Sequence, residues 1–256
     1  MPELPDITVY LECLRPRIEG QVLRGVDLVS PFLLRSVDPP ASEFIGKPIR
    51  GLRRLGKRIV WCFDDERYLV LHLMIAGRLH WKAPGAKTPG KIGLAAFHFA
   101  GGTLTLTEAG SKKRASLHLV RGRDMLAQHD PGGLDVLNTT LAEFSQRLTR
   151  ENHTLKRALT DPRLFDGIGN AYSDEILHAA GLSPLALTGR LGPGEIEKLF
   201  EATQTVLVNW TERLLREAGD GFPEKVTAFR EGMAVHGRFG KPCPQCGAAV
   251  QRIVYA

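Results

Sequence analysis

The spacing of apolar residues changes once along this chain, and that change limits the folds open to it. Between Val22 and about Val120, apolar and β-branched residues come in short runs. These are Val26–Phe32, Ile49–Arg54, Ile59–Phe63, Tyr68–Met74, Ala95–Phe99, Thr103–Thr107 and Leu117–Val120. Asp64-Asp65, Pro84-Gly85, Pro89-Gly90 and Gly101-Gly102 punctuate them as turns. Ahead of the runs, Leu4, Ile7, Leu11, Leu14 and Ile18 step by three and four, one face of an amphipathic helix over residues 3–18. Pro2 and Pro5 agree with that helix, because proline is tolerated in a first turn whose N–H groups have no partner. One helix followed by about seven short strands predicts a β-sandwich.

Asp130-Pro131-Gly132-Gly133 reads as a linker, and beyond it the period is helical over Leu141–Leu148, Thr154–Leu159, Ala171–Ala180 and Glu195–Glu217. The turn-rich end, Gly237–Ala256, reads as a small ribbon. The expected class is therefore α+β. A β-sandwich domain is expected over residues 1–130, a helical domain over 131–220 and a ribbon segment over 221–256. With 256 residues and 43% hydrophobic content, the chain is long enough to fold without disulfide staples. Cys13 and Cys62 sit in apolar surroundings, and Cys243 and Cys246 form a Cys-x-x-Cys pair, usage that suits a reducing cytoplasm. No apolar run is long enough to span a bilayer, and the opening Met-Pro-Glu-Leu-Pro-Asp has no signal-peptide pattern. A net charge of +6 and a pI near 9.3 favour a polyanionic partner, nucleic acid or an acidic membrane surface.

Four segments carry chemistry. Removal of Met1 would leave Pro2 with a free secondary amine, and an α-amino group titrates near ~8 against ~10.4 for lysine. Such an amine is partly unprotonated at neutral pH, and its attack on a sugar C1′ gives an iminium directly. Glu3 beside it is placed to move protons. On residue types alone, an ordinary helix start explains Pro2 and Glu3 better. Leu52–Arg58 then places four cations in six residues at a strand-turn-strand, where Lys57 can meet a phosphate or where charge merely guards a hairpin edge. Further on, Thr154-Leu155-Lys156 precedes an Asp161-Pro162 turn and Gly167-Ile168-Gly169-Asn170, which opens a new helix. Helix-start amides are an anion site, and Lys156 and Asn170 add side-chain donors. Last, Cys243-Pro244-Gln245-Cys246-Gly247 among basic residues reads as half of a zinc site, with His236 the nearest upstream candidate ligand.

In this order the segments resemble the formamidopyrimidine-DNA glycosylase/endonuclease VIII family, whose hallmark is the opening Met-Pro-Glu-Leu-Pro, and the resemblance covers essentially the whole chain. It implies a helix on a β-sandwich, a helix-two-turn-helix domain and a C-terminal zinc ribbon, with DNA held between them. It implies Pro2 as Schiff-base nucleophile and Glu3 as general acid/base, with Lys57 the hairpin lysine acting at the site and on phosphate. Asn170 is the matching phosphate-binding asparagine, and Lys156 is expected beside it. Cys243 and Cys246 match the first pair of ligands to one structural Zn2+. The family's second cysteine pair and a phosphate-gripping ribbon arginine would lie beyond Ala256.

The departures from the family pattern carry expectations of their own. Asp6 stands where the family usually has glutamate. His72-Leu73-Met74-Ile75-Ala76-Gly77 replaces His-Leu-Gly-Met-Ser-Gly, leaving Ile75, or Met74 with a small shift, to wedge into the base stack. Glu108-Ala109-Gly110-Ser111-Lys112-Lys113-Arg114 replaces Asp-Pro-Arg-Arg-Phe-Gly, so an aromatic that fills the hole left by a flipped base gives way to the cations Lys112, Lys113 and Arg114. Losing that filler makes flipping from a duplex costlier, so the expectation shifts toward single-stranded or distorted DNA. The stretch Gly221–His236 is shorter than the lesion-capping loop of formamidopyrimidine enzymes. That favours oxidised pyrimidines, hydantoins or ring-opened purines over 8-oxoguanine.

The expected function is a monomeric, cytoplasmic, nucleoid-associated DNA glycosylase/AP lyase of base excision repair acting on damaged DNA, with no membrane partner. The rival is a catalytically silent DNA- or lesion-binding protein of the same fold. A zinc-ribbon adaptor ranks last, because it leaves the N-terminal motif unexplained.

Overall fold

The computed structural model describes residues 1–110, 112–224, 226–227 and 229–253, so Ser111 and the last three residues of the expected ribbon lie outside the described residues. The chain forms two compact units: Met1–Asp130 with Arg213–Val226, and Pro131–Glu212 with Thr227–Ala256.

In the first unit, helix α1 (Leu4–Ile18) begins at Glu3 with a reciprocal capping box between Glu3 and Asp6, Pro5 lying in its first turn. Its apolar stripe is buried, with Ile7, Tyr10, Leu14 and Ile18 all fully enclosed. Eight strands come after it: β1 (Gly25–Leu28), β2 (Gly51–Leu55), β3 (Arg58–Cys62), β4 (Arg67–His72), β5 (Gly77–Lys82), β6 (Gly93–His98), β7 (Thr103–Glu108) and β8 (Ser116–Arg121). They make two antiparallel four-stranded sheets, ordered β1-β6-β7-β5 and β2-β3-β4-β8. The expected strands are present with boundaries shifted by a few residues, and β5 is additional. Its Gly-Arg-Leu-His-Trp-Lys alternation is a half-buried strand pattern, but it starts at the glycine that ends the wedge motif.

Inward residues of both sheets share one core with α1. Trp61 of β3 is fully buried and meets Phe97 of β6 edge-on, at 5.0 Å between ring centroids and 68° between planes. Strand β7 is buried on both faces. Its Thr103 and Thr107 hydroxyls bond the imidazoles of His98 and His80, so the polar face is satisfied as well as covered. A short helix, α2 (Arg123–Ala127), covers Val60, Tyr68, Val70 and Val120 through the buried Leu126.

The stretch after the last long helix also belongs to this unit, although the sequence placed the ribbon segment from residue 221. Arg17 donates to the carbonyls of Asp220 and Gly221 and lies over the Phe222 ring, which packs on Tyr10. Glu224 accepts from His80 and Lys82, and Val226 enters the core.

The second unit holds α3 (Leu141–Leu148), α4 (Leu155–Thr160), α5 (Asn170–Ala180) and most of α6 (Pro193–Ala218). Thr140 and Glu143 form a capping box that starts α3. Phe144 stacks near Phe165 and Phe200, and Tyr172 near Trp210, around buried Leu155, Leu159 and Ile176. Gly181 in the left-handed region ends α5. The ribbon segment is held by turns and one isolated bridge, Pro242 to Ala249. Among the described residues, no helix is long and apolar enough to cross a membrane.

Trp61→Ala would leave a cavity between the sheets, and such truncations cost about 3–5 kcal/mol. Urea unfolding of the first unit should show a midpoint lowered accordingly with the slope unchanged.

Candidate active site

The start of α1 anchors the candidate site. Glu3 and Asp6 are both 2% exposed, and the Glu3 N–H donates to Asp6 Oδ2 at 2.9 Å. Asp6, one methylene shorter than glutamate, therefore closes the helix start. Pro2 is buried, and the amine of Met1 just ahead of it is pushed below its ordinary value. Burial is the largest cause; Arg78 and Lys57 act in the same direction, against Glu3 and Asp6. Lys57 reaches this site from the tight Gly56-Lys57 turn between Leu55 and Arg58, where Gly56 takes φ +62 and its carbonyl accepts from Arg54 Nη1.

The wedge segment is a closed turn. Gly77 N–H donates to Leu73 O at 2.9 Å, and any side chain on Gly77 would strike that same oxygen. Met74 takes φ +52, a left-handed position that disfavours side chains. Ile75 stands at the tip, 56% exposed, while Met74 is half-buried. His72, at the end of β4, is pushed down to about 4, first by burial and then by Arg58, Lys57 and His118, so it is neutral at physiological pH.

The cationic segment is anchored rather than loose. Glu108, at the end of β7, is buried, and its Oε2 accepts from the N–H groups of Arg114 (2.9 Å) and Ala115 (3.1 Å). Lys113 donates back to the Glu108 carbonyl, whereas Lys112 and Arg114 are exposed.

In the second unit, Asn170 is exposed at the first turn of α5, whose N-cap is Gly169. Lys156 lies beside it, but its ammonium donates to Asn170 O, Ser173 Oγ and Asp174. Burial raises the Asp174 carboxyl, yet His236 and Lys156 outweigh this and hold it below the usual range. Three residues of α5 then grip the ribbon segment. Asp174 accepts from His236, Glu175 from the N–H groups of Ala234, Val235 and His236, and His178 Nε2 sits 3.2 Å from Cys243 Sγ. The Cys243 thiol is drawn down to about 6 by the Cys246 N–H, His178 and the Gln245 N–H. Among the described residues, no group of three or more His, Cys, Asp or Glu is arranged to hold a metal.

The family model of the formamidopyrimidine-DNA glycosylase N-terminal domain matches residues 1–115, and that of the corresponding H2TH domain matches 133–213. The formamidopyrimidine-DNA glycosylase of Moorella thermoacetica is 31% identical over 263 residues, covering 99% of this chain and 94% of the relative. That of Chloroflexus aggregans is 31% identical over 265 residues, covering 100% and 94%. This chain belongs to the formamidopyrimidine-DNA glycosylase family. It is a DNA glycosylase of base excision repair. A solved structure of the Lactococcus lactis Fpg with oxidised-pyrimidine DNA is similar at TM-score 0.86 and 25% identity, covering 100% of this chain and 95% of that one.

Against that family background, the residues the sequence marked fall into two groups. Pro2, Glu3, Lys57 and Ile75 lie in the first unit, with Lys112, Lys113 and Arg114 on its anchored loop; Lys156, Asn170, Cys243 and Cys246 lie in the second. Sequence reading missed Arg78, Asp174, Glu175 and His178. For the last three the signal was present as an i, i+1, i+4 polar set on α5, but their partners lie more than fifty residues away.

Glu108→Ala should leave the Arg114 and Ala115 amides without acceptors, at a cost of ~1–3 kcal/mol, and speed their hydrogen exchange. His72 is depressed in the fold, so below its unfolded value of 6.5 the unfolded chain binds more protons. Stability is thus lost as pH falls from 6.5 toward 4, and chemical denaturation of His72→Gln should show a flatter dependence across that window.

Proposed function

We propose that this chain is a bifunctional DNA glycosylase and AP lyase that works through a Schiff base on the amine of Pro2. The observation that carries the reading is placement: Pro2 is buried directly ahead of the helix start that the buried Glu3 and Asp6 close, and the neighbouring Met1 amine is held below its ordinary value, first by burial. With Met1 removed, the Pro2 nitrogen attacks C1′ of the damaged nucleotide, and the C1′–base bond breaks with its electron pair leaving on the base. Glu3 protonates the ring oxygen as the sugar opens, giving an iminium at C1′. Loss of a C2′ proton then expels the 3′ phosphate by β-elimination, and a δ-elimination releases the 5′ phosphate. Water finally hydrolyses the iminium and frees the amine.

The DNA-facing roles are proposed on placement and chemistry. Lys57 and Asn170 contact phosphates, Asn170 together with the amides opening α5. Lys156 orders that helix start through Asn170 O and Ser173 and adds positive charge there. Ile75 is the wedge, and Lys112, Lys113 and Arg114 supply charge where the family carries an aromatic filler. The β-sandwich unit, residues 1–130 with 213–226, serves as the catalytic domain, 131–212 as the helix-two-turn-helix DNA-binding domain and 227–256 as the ribbon. Cys243 and Cys246 would give two thiolates to one structural Zn2+. They are half of a closed site, so no catalytic step is assigned to the metal. The protein acts as a monomer on chromosomal DNA in the cytoplasm.

With no aromatic in the 108–114 segment, the hole left by a flipped base is filled less well, which favours single-stranded or distorted DNA. Excision from a matched single strand should match or exceed excision from the duplex, and a strong duplex preference would contradict it. Oxidised pyrimidines, hydantoins and ring-opened purines are the proposed substrates, ahead of 8-oxoguanine.

Borohydride trapping on a single-stranded abasic oligonucleotide tests the mechanism. Met1-processed protein should give a covalent adduct mapping to its N-terminus, lost or remapped in Pro2→Gly, with Glu3→Gln slowed at base release. No adduct and no nicking, with DNA binding intact, would transfer the reading to a silent lesion binder.

A further inference from the structure

Arg78 opens β5 directly after Gly77, opposite Thr107 of β7. Its Nη1 donates to two carbonyls of the wedge turn, Ile75 O at 3.2 Å and Gly77 O at 2.6 Å. Those oxygens lie at and just beyond the tip from which Ile75 projects, in a turn already closed by the Leu73–Gly77 bond and carrying Met74 at φ +52.

We propose that Arg78 is a positioning residue that clamps the Ile75 turn so that the side chain stands out as a rigid wedge. The clamp rests on the proposed wedge role of Ile75 and not on the Pro2 chemistry. An apolar side chain entering a base stack is effective only if its backbone does not yield. Here the Ile75–Ala76 and Gly77–Arg78 peptide groups are tied to one guanidinium nitrogen, which offsets a strained residue one position before the tip. Lysine at position 78 separates the clamp from plain charge, because it keeps a cation but ends in a freely rotating ammonium, without the planar group whose two fixed Nη1 N–H bonds meet both carbonyls.

The test uses full-length, Met1-processed protein as wild type, Arg78→Lys and Arg78→Ala. Excision of one oxidised pyrimidine is compared between single strand and duplex, and borohydride trapping on a single-stranded abasic oligonucleotide follows the Pro2 chemistry separately. Both variants should lower duplex excision on the order of tenfold more than single-strand excision, about 1.4 kcal/mol of wedge function. In both variants the Ile75–Gly77 amides should exchange faster, a readout that needs no Schiff base. An absent wild-type adduct with those amides still loosened therefore overturns the Pro2 reading while upholding the clamp. If Arg78→Ala does not fold, Arg78→Lys combined with Ile75→Ala decides, since the clamp requires that removing the wedge cancel the effect of the lysine. A wild-type duplex-to-single-strand ratio in both variants would overturn the proposal. So would uniform weakening on every substrate with a shallower salt dependence, the mark of a plain phosphate contact.

Discussion

The reciprocal bond between Glu3 and Asp6 is the constraint on which the rest of the first unit depends. A chain terminus ordinarily frays, because its last residues exchange few contacts for the entropy they lose. Here the terminus is the start of a helix whose stripe is fully enclosed by two sheets, and the capping box closes the one turn that packing alone leaves open. Two carboxylates are thereby buried, and each satisfies backbone donors at the mouth of the helix, where its charge is favoured. The amine just ahead of them is delivered to a fixed place, partly desolvated, with cations supplied by elements that share the same core.

That arrangement separates support from chemistry. The Trp61–Phe97 contact joins the sheets, and the sheets fix the Gly56-Lys57 turn and the Leu73–Gly77 turn. Glu108 does the same for the cationic loop by holding two of its N–H groups from a buried position. In the first unit, the residues that would touch DNA stand on short turns whose ends are pinned by strands, so their placement costs little ordering on binding.

Much of this was legible in the sequence. Helix α1, the β-rich half and α3 to α6 could be read because their apolar spacing is local. Pro2, Glu3, Lys57 and Asn170 could be singled out as candidates because each sits in a short motif whose residue types are unusual together. Strand β5 was hidden by the motif it adjoins, and α2 by its five-residue length. The return of residues 213–226 to the first unit could not be read at all. It depends on Arg17, Tyr10, His80 and Lys82 meeting residues about 140 to 210 positions distant, and no local period encodes such a pairing.

Met74 shows how the two kinds of reading combine. In the motif that resembles the family's His-Leu-Gly-Met-Ser-Gly it stands where that motif has a glycine, and by backbone it occupies a conformation that glycine adopts freely. A side chain there costs ~1–2 kcal/mol unless neighbouring bonds hold the turn. Arg78 provides two such bonds, and Gly77, which has no room for a Cβ, provides the closure. The substitution at 74 and the guanidinium at 78 are thus parts of one local solution. The glycine's freedom has been exchanged for a fixed turn, and what that turn presents is an exposed isoleucine at the position where the family carries its wedge.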